Sequence, residues 1–269
     1  MIVLRIMSSL EKTLLPEPIL TLRTGAILTL TLSRAEKMNA LSRATLDALR
    51  AAFENLDGDQ DLRCVVLRNA GNRYFAAGGD VHELATVRTP LATEAMAERG
   101  RLSLDAIRDC PVPVVAVLNG DAIGGGAELA VAADFRVMRE GSRIGFIQGR
   151  LGICSAWGGG PDLAALVGPA RALRMTTRCE LIDAETALDW GLADAIASEA
   201  ALDEAVARFV EPIVSQSPRA LRACLAQSRA MRRGVSYEER RTLERQHLLN
   251  TWLHDDHWAA VERLFARKS

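Results

Sequence analysis

The sequence predicts an α/β fold, on three observations. Short apolar runs closed by glycine or turn residues alternate with amphipathic or alanine-rich stretches through the first part of the chain. From Pro169 onward the apolar spacing is helical throughout, and no linker rich in Gly, Ser or Pro separates the two parts. The expectation is an α/β core over residues 1–195 with a helical C-terminal region, residues 196–269, packed on it.

The elements follow in order. Residues 19–32 read ILTLRTGAILTLTL, two half-buried strands broken at Thr24-Gly25. Ser42 is a candidate N-cap for a helix whose Leu46, Leu49, Ala52, Phe53 and Leu56 share one face. A short strand at 64–67, a glycine loop at 76–80 and a helix beyond Thr89-Pro90 come next. Pro111 and Pro113 introduce the buried strand VVAVLNG, and Gly124–Gly126 open the helix AELAVAA. Residues 135–138 form another strand, and helices are expected at 170–178, 184–191, 201–214, 218–233, 238–253 and 257–265.

Composition excludes more than it identifies. The chain has 269 residues with 33 basic and 34 acidic side chains, a net charge of −1, and only 4% aromatic residues. Neither a basic footprint for nucleic acid nor a set of rings for base stacking is present. Five scattered cysteines (Cys64, Cys110, Cys154, Cys179, Cys224) show no metal-ligand spacing and read as small buried hydrophobes in a reducing, cytoplasmic setting. Residues 1–9 are too short for a signal segment, and no apolar run is long enough to span a bilayer. His254 and His257 beside Asp255-Asp256 imitate a metal cluster, but they fall in the expected C-terminal helical region and no metal is predicted.

The strongest local feature is residues 119–128, NGDAIGGGAE, between a buried strand and a helix. Glycines at a helix start let the backbone approach closely and aim free N–H groups outward, a setting for an anion or a developing oxyanion, or simply for tight packing. Neither the dinucleotide GxGxxG spacing nor GxxxxGK[ST] fits. A second glycine loop, FAAGGD at 75–80, also follows a strand, so two N–H donors could flank one carbonyl oxygen. Glu128 lies one helical turn beyond Gly125, within reach of that chemistry or else as an ordinary ion-paired carboxylate.

Four segments in order, LTLSRAEKMNALS (30–42), YFAAGGDVHEL (74–84), PVPVVAVLNGDAIGGGAELAVAADFRV (111–137) and LGICSAWGGG (151–160), closely resemble the crotonase superfamily of enoyl-CoA hydratases and isomerases. The resemblance implies a spiral of ββα units followed by helices, assembled as homotrimers or hexamers. It implies an acyl-CoA substrate, no separate cofactor, no metal, and no nucleic-acid or membrane partner. It places the oxyanion N–H donors on Gly79 and Gly125 and the acid/base on Glu128. The CoA-enclosing segment 34–41 carries Lys37, Asn39, Ala40 and Leu41 as substrate-binding candidates. Ala77, Asp80, Val81 and His82 surround the pantetheine end and thioester, with Asp80 ordering the loop. Some relatives bind RNA, which the charge and aromatic content here oppose.

The chain departs from the hydratases at two places. Their second glutamate, in a G-x-P-E motif, falls on Gln148, which hydrogen-bonds but does not transfer protons in the useful pH range. Trp157 stands where hydratases carry a small residue, and is expected to narrow and dry the acyl pocket, favouring a short or branched acyl group, or else to pack the following helix start. The Trp-Gly-Gly element and the missing glutamate resemble the ethylmalonyl-CoA decarboxylase branch. The reading therefore leans to decarboxylation of a malonyl-CoA-type substrate over hydration or isomerisation by Glu128 alone. Arg139, Arg143 and Arg150 are minor candidates for a substrate carboxylate. The run from Arg229 to Arg233 with Arg240-Arg241 reads as a solvated helix face, or else as a contact for CoA phosphates of the same or a neighbouring subunit. Phe265, Arg267 and Lys268 match a contact of the family with the CoA adenine and phosphates.

Overall fold

The computed structural model describes residues 17–56 and 58–266. The N-terminal run at 1–9, and Arg267 and Lys268, lie outside the described residues. Strands β1 (Ile19–Thr24) and β2 (Ile27–Leu32) form the expected hairpin, with the turn one residue later than Thr24-Gly25, at Gly25-Ala26. Ser42 accepts the Thr45 N–H at 3.2 Å and caps α1 (Arg43–Glu54), which buries Leu46, Leu49 and Phe53.

Three strand–strand–helix units follow. In each, the first strand joins one sheet and the second joins another. The first unit is β3 (Cys64–Asn69), β4 (Tyr74–Ala76), α2 (Val81–Leu84) and α3 (Pro90–Arg108). The second is β5 (Val114–Leu118), β6 (Asp121–Ile123) and α4 (Gly125–Ala132); the third is β7 (Phe135–Arg139), β8 (Arg143–Gly145) and α5 (Gly159–Val167). β4, β6 and β8 are three residues each, too short to show a periodicity, and the sequence pattern does not announce them.

Beyond them come α6 (Pro169–Arg178), β9 (Ile182–Asp183), α7 (Ala184–Asp189), β10 (Ala195–Ala197), α8 (Leu202–Val214), α9 (Pro218–Arg232), α10 (Tyr237–Trp252) and α11 (Asp255–Ala266). The purely helical expectation after Pro169 is thus corrected by two short strands. β10 adds to the six-stranded sheet, in the order β1-β2-β3-β5-β7-β10, parallel to β7, so that sheet runs past residue 195. The second sheet has the order β4-β6-β8-β9.

Both faces of the larger sheet are covered, which explains why β3 and β5 are apolar without alternation. Val65, Leu67, Val114, Ala116 and Leu118 join the main core with Leu49, Phe53, Leu104 and Leu129. Cys64, Val66, Val115, Val117 and Val137 face α8 through Leu202, Ala205 and Val210. Burial pushes the Cys64 thiol up to about 12. The cysteines do not all behave as core residues, however: Cys154 and Cys224 are exposed. Among the described residues no helix is long and apolar enough to cross a membrane.

Candidate active site

The site forms where loops leave the C-terminal ends of the short β4 and β6, the usual position for ligands at an open parallel sheet. After β6, Gly124 (φ +58°) starts α4, and Gly125 is its first residue. Gly126 backs so closely onto the Ala76 carbonyl that a side chain there would collide with it. That approach brings the α4 start against the loop after β4. On the other side, a Cβ on Gly78 (φ +100°) would lie 3.4 Å from the Gly125 nitrogen.

The loop after β4 is stitched to the segment at 34–41. The Ala77 N–H donates to the Met38 carbonyl at 3.1 Å, Leu41 N–H to Gly78 at 2.8 Å, and Asp80 N–H to Leu41 at 3.2 Å. These bonds engage both neighbours of Gly79 and leave its N–H turned the other way. Among the described residues, neither the Gly79 nor the Gly125 N–H meets a protein acceptor. Gly125, as the first residue of a helix, also lies at the positive end of its dipole.

Asp80 ties the two segments together. One oxygen accepts the His82 N–H at 3.3 Å and caps α2; the other meets the Arg34 guanidinium at 3.2 Å, and Arg34 also donates to the Ala40 carbonyl at 2.7 Å. Asn39 is buried with φ +50°, its side chain accepting from Arg34 N–H and donating to the Ala70 and Tyr74 carbonyls. Its amide shapes the loop, in which the backbone groups of Ala40 and Leu41 are themselves engaged, by Lys37 and Arg34 and by Gly78 and Asp80. Lys37, Val81 and the His82 ring are exposed around this rim.

Glu128 is 3% exposed. Its Oε1 accepts the N–H of Trp157 at 3.0 Å and of Gly159, the start of α5, at 3.2 Å; its Oε2 accepts the Gln148 side-chain amide at 3.3 Å. Burial raises its carboxyl above the ordinary range, against the opposing pull of these donors and of the Arg108 charge. Gly159 has to be glycine, because its Cβ would overlap the Glu128 side chain. The buried Oε1 of Gln148 has no hydrogen-bond partner among the described residues.

The Trp157 indole is the roof. A Cβ added to Gly125 would collide with the ring, one on Gly79 would touch it at 3.6 Å, and one on Gly100 would overlap its Nε1 edge. Gly100 therefore opens a notch in α3 that receives the ring. The indole also borders a cavity of about 280 Å³ lined by Leu41, Leu46, Leu84, Val87 and Met96. Sequence reasoning missed Gly100, although a glycine inside a helical pattern is a signal of close packing. It also missed Arg108, which no motif marks.

Several minor candidates are committed elsewhere. Arg143 pairs with Asp121 at 2.5 Å, Arg139 donates to the Asn72 carbonyl at 2.9 Å, and Arg150 to the Cys179 carbonyl at 2.7 Å. The expected solvated face at 229–233 with 240–241 holds for the exposed Arg233 and Arg241 but not for two arginines turned inward: Arg229 pairs with Asp134 at 3.0 Å, and Arg232 pairs with Asp162 at 2.8 Å. Phe265 is exposed. His257 stacks on Trp252, and among the described residues no group of three His, Cys, Asp or Glu side chains converges as a metal site would.

Comparison with known proteins gives a consistent picture. Residues 23–266 match the enoyl-CoA hydratase/isomerase family. A carnitinyl-CoA dehydratase of Salmonella typhi is 35% identical over 201 residues, 75% of this chain and 76% of that one. Among solved structures, an enoyl-CoA hydratase from Bacillus anthracis superposes with a TM-score of 0.88 at 26% identity, covering 93% of this chain and 96% of that one. An enoyl-CoA hydratase/carnithine racemase from Magnetospirillum magneticum gives 0.87 at 29% identity, covering 93% of each chain.

Proposed function

The chain belongs to the enoyl-CoA hydratase/isomerase family of enzymes, with the crotonase fold, and on that premise we propose that it converts an acyl-CoA through a thioester enolate held by the N–H groups of Gly79 and Gly125. Glu128 is the single acid/base. The observation that carries this reading is the identity of its neighbour: the side chain hydrogen-bonded to Glu128 is the amide of Gln148, not a second carboxylate. One proton-transfer group then has to suffice.

Decarboxylation of a malonyl-CoA-type substrate makes the smallest demand. The bond from Cα to the carboxylate breaks, its electron pair moves into the enolate, and CO₂ leaves. Negative charge gathers on the thioester oxygen between the two N–H donors. Glu128, whose raised pKa favours its protonated form, delivers the proton to Cα and is reprotonated from water. The apolar roof of Trp157 favours loss of a charged carboxylate and suits a short or branched acyl group.

Hydration or dehydration is the second reading. It is supported by the carnitinyl-CoA dehydratase relatives and by the unpartnered Gln148 Oε1, which suits a water or β-hydroxyl donor. Incubation with crotonyl-CoA and, separately, with methylmalonyl- and ethylmalonyl-CoA distinguishes them. Release of CO₂ from the malonyl thioesters supports the first reading. Fast hydration of crotonyl-CoA that Glu128→Gln abolishes would overturn it.

Assembly as a homotrimer or a dimer of trimers belongs to the same reading. The exposed Leu249, Trp252, Leu253, Trp258 and Phe265 on α10, α11 and the turn between them are the apolar surface it would cover.

A further inference from the structure

We propose that Arg108 is a positioning residue for Glu128, gripping the turn that supplies both backbone donors to its carboxylate. The inference rests on the reading of Glu128 as acid/base.

Arg108 ends α3 with its side chain largely buried, and three of its guanidinium nitrogens are engaged. Nε donates to Asp162 at 2.8 Å, Nη1 to Asp105 at 2.8 Å, and Nη2 to the Trp157 carbonyl at 2.9 Å. That carbonyl lies between the two amides that matter, since Trp157 N–H and Gly159 N–H both point at Glu128 Oε1. Gly158, between them, has φ +88°, and a Cβ there would sit 2.8 Å from Nη2. The turn is therefore held by the guanidinium on its carbonyl side and by Glu128 on its amide side. The gripped carbonyl belongs to the peptide between the two donor-bearing ones, so the bond from Arg108 restrains the backbone on both sides of it.

Arg108 is itself braced. Asp162, on α5, also receives Arg232 from α9 at 2.8 Å, and Arg232 donates to the Val131 carbonyl at 2.9 Å, on the helix that carries Glu128. The charged groups of this bracket are thus Arg108 and Asp105 from α3, Asp162 from α5 and Arg232 from α9. Of these, Arg108 has the field that lowers the Glu128 carboxyl. A planar fork with fixed donor directions suits this bracket better than an ammonium does.

The test uses steady-state kinetics across pH on whichever of crotonyl-CoA and methylmalonyl-CoA is turned over faster. Arg108→Met is expected to lower kcat about 10²-fold, the effect of a small misplacement of a catalytic group, with KM nearly unchanged. The kcat limb that titrates with Glu128 should move to higher pH, because a cation that favours the ionised form is gone. Arg108→Lys should bring the limb back toward its original pH while kcat stays low, and it carries the kcat test if Arg108→Met does not fold. Arg229→Met cuts a buried ion pair outside this bracket and reports what lost stability alone does. A limb that stays put in Arg108→Met, a rise in KM alone, or the same kcat loss and limb shift in Arg229→Met would each overturn the proposal. Glu128→Gln separates the two levels: if it remains active the acid/base reading fails, and if it is dead while the Arg108 variants behave normally only this inference fails.

Discussion

Trp157 holds Glu128 with its backbone and covers Gly125 with its side chain. The amide donates to the carboxylate from 3.0 Å, and the ring rests where a Cβ on Gly125 would otherwise be. One residue thus fixes the proposed proton-transfer group and covers one of the two proposed oxyanion donors.

In the proposed site, this ceiling sets which acyl groups fit. Trp157→Leu keeps the amide and removes most of the ring, opening the space over the glycine pair toward the cavity of about 280 Å³. The ratio of kcat/KM for a C8 over a C4 thioester should rise by roughly 10-fold or more, since each buried CH₂ contributes about 0.8 kcal/mol. Rates measured on a series of chain lengths check this. A wild-type enzyme that already prefers long chains would refute the short-acyl reading.

Gly100 and Trp157 should be energetically coupled. Alanine in a helix interior is normally better than glycine by about 1 kcal/mol, yet Gly100→Ala places a methyl inside the indole. We expect Gly100→Ala to destabilise the fold by about 1–3 kcal/mol, as overpacked cores do, and to stabilise it once Trp157→Leu is also present. Urea unfolding of the two single variants and the double variant measures the coupling; additive effects would show that the notch and the ring are independent.

The raised pKa of Glu128 has a consequence for stability. The folded state holds this proton more tightly than the unfolded chain, where a glutamate titrates near about 4.3. The group's contribution is fully present below that pH and is lost as pH rises through its elevated folded value. Gln at this position keeps an acceptor for Trp157 and Gly159 and does not titrate. The melting temperature of Glu128→Gln relative to the wild type should therefore be higher at pH 8 than at pH 4. A difference independent of pH would contradict the assignment.

What the sequence made legible follows from what repeats or from what must be glycine. The Ser42 cap, the amphipathic α1 and the apolar β3 and β5 all leave patterns several residues long. The loops around Gly79 and Gly125 were visible because close approach excludes side chains. The strands β4, β6, β8 and β9 were not visible, since two or three residues carry no period. Arg229, Arg232 and Arg108 were misread or missed for a different reason. An arginine on an amphipathic helix looks the same in sequence whether it faces water or an aspartate brought in from another helix or loop 54 to 95 positions away.

The arrangement of the two sheets also bears on how such a chain changes over time. The six-stranded sheet, covered on both faces, makes the larger contribution to the core, whereas the parts of the site follow from the three-residue strands beside it. Exchanging Gln148 alters the chemistry just beyond a short strand without touching the packing of β3, β5 and β7, whereas Trp157 is tied to the main core as well. The fold thus separates heritable stability from adjustable reactivity, and single substitutions can explore new reactions from a scaffold that stays folded.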